Sequence, residues 1–448
     1  MKSKHFSLNL SHKIKPYKKN IKVDSDKSLS IRSFLISSIS QDVSVVKNVL
    51  ESDDVFSTIF ALKKLGVKIL KVKPGCYQIF GKGLGSLFAK RNLKLNFGNS
   101  GTLARLLIGI LSTTPDIEVN IQGDQSLNKR SMKKLILLMS EFGAEFLPRN
   151  KFNFPLKIIS TEMPVGINYK SGISAQLKSA VILAGLNAYG VTEIIEERNS
   201  RNHTENILKK SPQAIKIKKG KKNFIQIFGK KYLYPINIKI PGDPSSAAFF
   251  TALTLLNKNS TLKIKNVGLN PTRTGFYDLL NKNGANIKFK NKKNLNNEIV
   301  GDIIIKSGNL KSIKASKNYY EKTTDEFPIL FCIAALTNGT SVFKGIGDLA
   351  NKESNRIKEM QKILSQIGVK SIATKNDLKI YGKKFINNKN KIIKVPNLGD
   401  HRICMSAVIL ALLTGIKTKI HNFETVYTSS PSFLKIMKQL GAKFEIQK

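Results

Sequence analysis

Five times along the chain, a stretch with an apolar residue every third or fourth position runs into a glycine, then Ala or Val, then a short alternating tail. The copies are TIFALKKLGVKI, KLILLMSEFGAEF, FYDLLNKNGANIKF, MQKILSQIGVKSI and LKIMKQLGAKFEI, with glycines at Gly66, Gly143, Gly284, Gly368 and Gly441. The spacings are 77, 141, 84 and 73 residues, so one gap is nearly double the rest. A degenerate sixth copy, NILKKSPQAIKI from Asn206 to Ile217, falls in that gap with Pro212 in place of the glycine. Each copy predicts an amphipathic helix that stops where glycine accepts a left-handed backbone, after which the chain turns into a strand. Any helix end can look like one copy; five at related spacings make chance a poorer account. The prediction is an α/β (α+β) protein built from six helix-to-strand units.

Composition bounds the rest. At 448 residues the chain is long enough for two or three domains, and 41% hydrophobic content excludes wholesale disorder. The formal charge is +45, from 75 Lys and Arg against 30 Asp and Glu. Such a balance suits nucleic acid or an acidic membrane surface. Yet only ten of the cations are Arg, and the Lys is mixed with Ile and Asn throughout, which is the look of background composition. The Lys/Asn-rich stretches 209–223, 288–297 and 383–394 read as solvated loops, without the interleaved aromatics of a base-stacking surface. Cys76, Cys332 and Cys404 are isolated from one another, so neither a disulfide framework nor a CxxC metal site is indicated, and reduced thiols in a cytoplasm fit. The N-terminus lacks the apolar stretch of a signal peptide. The longest apolar run, Ile403 to Ile416, contains Ser406 and Thr414 and falls short of the roughly 18 residues of a spanning helix. The expectation is a soluble cytoplasmic protein with no membrane partner.

Where Lys supplies nearly all positive charge, an Arg marks a place that needs a planar, bidentate donor for carboxylate or phosphate. Six of the ten lie in short Gly/Ser/Asp-marked segments: Arg32 in DKSLSIR, Arg105 in GNSGTLAR, Arg130 in GDQSLNKR, Arg201 in SRNHTE, Arg356 in NKESNR and Arg402 in GDHR. Singly, each could be a surface ion pair of little worth; together they point to a small polyanionic ligand. Asp26, Lys27 and Ser28 precede the apolar run Leu29 to Ile39, so a helix starting there aims its amides and a Lys at an anion. Gly98 to Thr102 opens another apolar helix in the same way, with Gly101 leaving room for close backbone approach; no GK[ST] follows, so it is not a Walker loop.

These segments, with SAQLKSAVILAGL, PGDPSSAAFF, NPTRTG and TDEFPIL, stand in the order found in the 5-enolpyruvylshikimate-3-phosphate synthase family of enolpyruvyl transferases, which the chain resembles over essentially its whole length. The resemblance implies two similar domains, each of three βαβαββ repeats with helices converging on an interdomain cleft. It places one domain at 26–242, on the shikimate 3-phosphate side. The other, at 1–25 plus 243–448, is the phosphoenolpyruvate and carboxylate side, with hinges near 24–27 and 241–244. It implies transfer of the enolpyruvyl group of phosphoenolpyruvate to the 5-hydroxyl of shikimate 3-phosphate, with phosphate release through a tetrahedral intermediate, no cofactor and no metal. The expected enzyme is a monomer acting on small molecules, without a nucleic-acid partner, and a glyphosate target.

By the same resemblance, Lys27, Ser28, Arg32, Ser174, Ala175, Gln176, Arg201, Asp325 and Lys352 hold shikimate 3-phosphate. Lys27, Gly101, Arg130, Gln176, Arg356 and Arg402 hold phosphoenolpyruvate. Asp325, Glu353 and Lys27 are the expected catalytic residues, with Asp325 as base toward the 5-hydroxyl and Glu353 exchanging a proton with the methylene carbon. Plainer alternatives stand beside these: the Asp-Glu pair before Pro328 as helix capping, Glu353 as a surface ion-pair member, and His203 and His401 as structural hydrogen bonders. The chain also departs from the family pattern. Ser131 replaces the Pro after the phosphoenolpyruvate-binding Arg, Asn202 and Asn355 replace Asp, Ile31 replaces His or Asn, and the segment TVYTSSPSF has no Lys before Pro431. Three rivals are a UDP-N-acetylglucosamine enolpyruvyl transferase, an RNA 3′-phosphate cyclase-like protein and a non-catalytic basic binding protein. The first is disfavoured because Gly123 to Met132 holds no Cys.

Overall fold

The structure, a computed structural model, describes residues 5–387 and 390–447. Its strands form six four-stranded sheets. In the sheet of Lys94–Asn96, Glu118–Gln122, Leu156–Ile159 and Glu145–Leu147 the first two strands are parallel and the others antiparallel. A helix, Gly101–Ser112, connects the parallel pair, and a second, Lys133–Glu141, precedes the closing hairpin. That is one βαβαββ repeat, and its register sets Leu95 beside Ile121 and Val119 beside Ile158, which gives the sheet an apolar face.

The other five sheets follow the same plan, three of them completed by a strand from elsewhere in the sequence. Asn237–Lys239 pairs with Val43–Lys47, Lys18–Ile21 pairs with Thr261–Gly268, and Ser7–Leu10 lies between Lys417–Ile420 and Glu445–Gln447. The first helices of the six repeats are α1 (Lys27–Ile39), α2 (Gly101–Ser112), α3 (Ala175–Gly185), α4 (Pro244–Leu256), α5 (Phe327–Ala335) and α6 (His401–Thr414). They are buried around most of their girth; in α6 every residue from His401 to Leu413 is buried. The second helices are the amphipathic ones. Arg356–Gln366 buries Arg356, Ile357, Met360, Ile363 and Leu364, a single stripe.

The five repeat glycines all end second helices at positive φ, from +76° at Gly368 to +103° at Gly143. An L side chain there is strained, which is why the sequence pattern punctuates so sharply. The degenerate copy ends its helix, His203–Leu208, without a glycine and resumes as the strand Ile215–Lys218.

One of the three Lys/Asn-rich stretches is mostly strand, and a second is interrupted by one. Residues 288–297 lie mostly in the strand Asn286–Leu295, and 209–223 contains Ile215–Lys218. Asn286–Leu295 is a sheet-edge strand exposed on most of its length, so no alternation of polar and apolar residues betrayed it. In the third stretch residues 388 and 389 lie outside the described residues, and the strand Ile392–Val395 takes its end.

The chain forms two compact units. One contains Ser25–Ile240 and Asn294–Glu298; the other contains the chain up to Asp24, Pro241–Lys293 and the chain from Ile299 on. Each holds three of the sheets and its own core of buried apolar side chains. Among the described residues no helix is long and apolar enough to cross a membrane.

Candidate active site

Polar side chains cap five of the six first helices. Asp26 accepts from Leu29 N, Ser100 from Leu103 N, Ser174 from Leu177 N, Asp243 from Ser245 N and Asp400 from Arg402 N. Each cap leaves the remaining N-terminal amides facing outward with the positive end of the helix dipole, the local condition for anion binding.

In the Ser25–Ile240 unit, Lys27 opens α1 with its ammonium 2.9 Å from Asp54. Arg32, one turn on, is buried, and its guanidinium is fully directed: Nε donates to Thr204 Oγ1 (2.9 Å), Nη1 to the Ser28 carbonyl (3.2 Å) and Nη2 to Ser179 Oγ (3.3 Å). Thr204 also bonds Ser179 at 2.8 Å, so α1, α3 and the helix His203–Leu208 meet at this one side chain. Gln176 in the first turn of α3 donates to Thr102 of α2 at 2.9 Å, which joins the SAQ and GNSGT segments. Arg130 reaches the same helix start. It donates to Asn99 Oδ1 at 2.5 Å and Ser126 Oγ at 3.2 Å, and Asn99 is held in turn by Asp124 at 2.8 Å. Arg201 sits half-buried in the loop before His203–Leu208.

The other unit gathers its candidates around Arg356, which is 1% exposed. Its Nε lies 2.9 Å from Asp400 Oδ2, its Nη2 2.6 Å from Glu353 Oε2, and its Nη1 3.7 Å from Asp325 Oδ1. Burial alone would lower the guanidinium pKa, but the Asp400, Glu353 and Asp325 carboxylates outweigh it and raise it further. Asp400 also takes the Ser354 hydroxyl at 3.0 Å and caps α6, whose second residue is Arg402. Arg402 is 5% exposed with its guanidinium carbon 5.9 Å over the Phe249 ring, and its Nε and Nη1 are buried without a hydrogen-bond partner. Lys352 pairs with Asp348 at 2.7 Å, and Asp348 also accepts from Tyr320 at 2.7 Å.

The structure thus brings Arg32 together with Ser28, Arg130 with Gly101, and Asp325, Glu353 and Arg356 with one another. Lys352 stands with Asp348 and Tyr320. Two of the plainer alternatives fail. Glu326, at the N-cap of α5, makes no capping bond and instead accepts from Ser245, whose hydroxyl also accepts from Arg273 at 2.9 Å. Glu353 is no surface partner, since the cation it holds is out of water. Of the departures, Asn355 performs the capping an Asp would, accepting from Lys358 N at 3.1 Å. Ser430 and Ser432 bind the Asp24 carboxylate, at 2.8 and 3.0 Å. Nothing in the structure explains Ile31.

Sequence reasoning named Lys27 and the arginines and missed their partners: Asp54 for Lys27, Ser179, Thr204, Asn99 and Asp400 for the arginines, and the Asp243–Arg273 pair at 3.1 Å. All but Asp54 lie within or beside the motifs already quoted, yet a Ser or Asp in a Gly-rich segment carries no signal of its own beyond capping. Among the described residues no group of three or more His, Cys, Asp or Glu is placed to hold a metal ion.

Two units of three βαβαββ repeats, with arginines at helix starts and carboxylates gathered on one of them, define the enolpyruvyl transferase class of fold. A structure of EPSP synthase from Acinetobacter baumannii superposes with a TM-score of 0.85 at 33% identity, over 99% of this chain and 100% of that one. The enolpyruvyl transferase NikO from Streptomyces tendae shares the fold, with a TM-score of 0.76 at 12% identity and 99% of both chains covered. The family model described as EPSP synthase (3-phosphoshikimate 1-carboxyvinyltransferase) matches residues 11–437, and the chain belongs to that family. Relatives named 3-phosphoshikimate 1-carboxyvinyltransferase include that of Zymomonas mobilis, 36% identical over 98% of this chain and 97% of its own length. That of Caldicellulosiruptor bescii is 39% identical over 93% and 95%.

Proposed function

We propose that the chain transfers the enolpyruvyl group of phosphoenolpyruvate to the 5-hydroxyl of shikimate 3-phosphate, in the cytoplasm, with residues of both units serving the one substrate pair. The observation that carries this reading is Arg402. A guanidinium out of water with Nε and Nη1 unsatisfied is costly in a folded protein and is relieved by an incoming anion. On this reading that anion is phosphoenolpyruvate. Both substrates carry a carboxylate and a phosphate, so an arginine-lined site is an electrostatic requirement.

In the addition step the 5-hydroxyl oxygen bonds to C2 of phosphoenolpyruvate. Asp325 takes the hydroxyl proton, and the methylene carbon gains a proton from Glu353. In the elimination step the bond from C2 to the phosphate oxygen breaks, Glu353 recovers the proton from the methyl carbon, and phosphate leaves with the proton that Asp325 took, so both carboxyl groups return to their starting states. Lys27, Ser28, Arg32, Ser174, Ala175, Gln176, Arg201, Asp325 and Lys352 bind shikimate 3-phosphate. Lys27, Gly101, Arg130, Gln176, Arg356 and Arg402 bind phosphoenolpyruvate. The test is phosphate release from phosphoenolpyruvate with shikimate 3-phosphate present, omitted, or replaced by UDP-N-acetylglucosamine. Release only with shikimate 3-phosphate is expected; release with the nucleotide sugar, or with neither acceptor, overturns the reading.

Gly101 offers a steric check. A Cβ there would sit 2.7 Å from Arg105 Nη1 and 3.1 Å from Arg130 Nη1, the mobile ends of two long side chains. Gly101→Ala is therefore expected to fold normally while displacing Arg130. KM for phosphoenolpyruvate should rise about 10-fold, because a small misplacement of a positioning group is costly. Competition by glyphosate should weaken in parallel, and equal inhibition of both forms in steady-state assays would refute the steric argument.

A further inference from the structure

Lys178 follows Leu177 in α3, is 0% exposed, and belongs to no binding set described above. Its ammonium lies 2.6 Å from Glu196 Oε1 and 2.6 Å from Glu205 Oε1, both on buried side chains. Glu196 ends the strand Val191–Glu196, and Glu205 lies in the helix His203–Leu208. Between them residues 197–202 form a loop without helix or strand, and Arg201 is in it. Glu196 Oε1 also takes the Ser200 amide at 3.0 Å and the Ser200 hydroxyl at 2.8 Å, while Oε2 takes Asn223 at 2.9 Å. One ammonium therefore ties down both ends of the loop, and the residue just before Arg201 is fastened to the same carboxylate.

The adjacent layer repeats the arrangement. Ser179 follows Lys178, Thr204 precedes Glu205, and those two hydroxyls bond each other and receive Arg32. Burial alone would lower the Lys178 pKa, and the two carboxylates more than reverse that; burial alone would raise the Glu196 pKa, and Lys178, with Asn223 and the Ser200 amide, more than reverses it. A buried ion cluster is weak evidence of stability, but removing one member leaves a buried charge uncompensated, so its members are held to one geometry.

We propose that Lys178 is a positioning residue for shikimate 3-phosphate: its bonds to Glu196 and Glu205 set the loop that presents Arg201 and the Thr204 hydroxyl that orients Arg32. The inference rests on the reading that Arg32 and Arg201 bind that substrate. It concerns shikimate 3-phosphate and not phosphoenolpyruvate, whose candidate ligands in this unit include Gly101 and Arg130 at the start of α2.

The test uses the full chain and three variants: Lys178→Met, Glu205→Gln and Arg201→Ala. Glu205→Gln keeps shape and leaves Lys178 paired with Glu196, so it reports even where Lys178→Met fails to fold. In Glu205→Gln the KM for shikimate 3-phosphate is expected to rise about 10-fold with the KM for phosphoenolpyruvate within about two-fold, the split expected of a local misplacement. Hydrogen exchange of the amides in 197–204 should accelerate in the same variant without substrate. Unchanged exchange together with unchanged KM values, or an equal rise in both KM values, overturns the proposal. Arg201→Ala separates the two failures. If it leaves the KM for shikimate 3-phosphate untouched, the assignment of Arg201 falls, and exchange in the loop still decides whether Lys178 fixes it.

Discussion

Arg402→Ala is expected to lower kcat/KM for phosphoenolpyruvate by about 10³-fold, the scale of losing one partner of a desolvated charge pair. Binding of shikimate 3-phosphate alone, followed by calorimetry, should change far less. The thermal midpoint should hold or rise, since the substitution removes a buried cation whose Nε and Nη1 have no hydrogen-bond partner. Arg402→Lys should recover only part of the loss, because an ammonium keeps the charge without the bidentate fork. Arg356 would make a poorer probe: its removal strands Asp400, which is 0% exposed, at a cost of about 3–5 kcal/mol. Wild-type kcat/KM in Arg402→Ala would refute the assignment.

Asp325→Asn should reduce kcat by about 10³-fold, within the usual range for removing a general base. Asp325 is a quarter exposed, and its 3.7 Å approach to Arg356 is longer than a hydrogen bond, so the carboxylate is steered by that cation without being sealed by it. Asn preserves size and one acceptor, so KM for either substrate should move little. Glu353→Gln supplies the contrast. On the proposed roles it handles the other proton, so exchange of solvent deuterium into the methylene of phosphoenolpyruvate should fall in Glu353→Gln and less in Asp325→Asn. A kcat for Asp325→Asn within a few-fold of wild type would show that the hydroxyl proton leaves by another route.

The repeat was legible because the second helices lie on the outside: a stripe such as Ile357, Met360 and Leu364, followed by a glycine at positive φ, cannot be disguised. The first helices left no such trace. They are buried nearly all round, so α6 looked like a mere apolar run although it carries Arg402. The arginines stood out against a Lys background, and the structure joins Arg32, Arg130 and Arg356 to the neighbours that give them direction. What stayed hidden was the counter-ion. Asp400, Glu205 and Glu196 are ordinary letters in the sequence; their weight comes from a cation brought beside them by helices that no local pattern connects.

The sheet containing Ser7–Leu10 has a consequence for biosynthesis. Leu8 pairs with Ile420 and with Ile446, so this strand must wait for partners synthesised more than 400 residues after it. Ser25–Ile240 has nearly all its own partners in one continuous stretch and can mature on the nascent chain meanwhile. The waiting segment is short, with strand residues Ser7, Leu8, Asn9 and Leu10 and lysines following at Lys13 and Lys15, a composition that limits premature edge pairing until its sheet is complete.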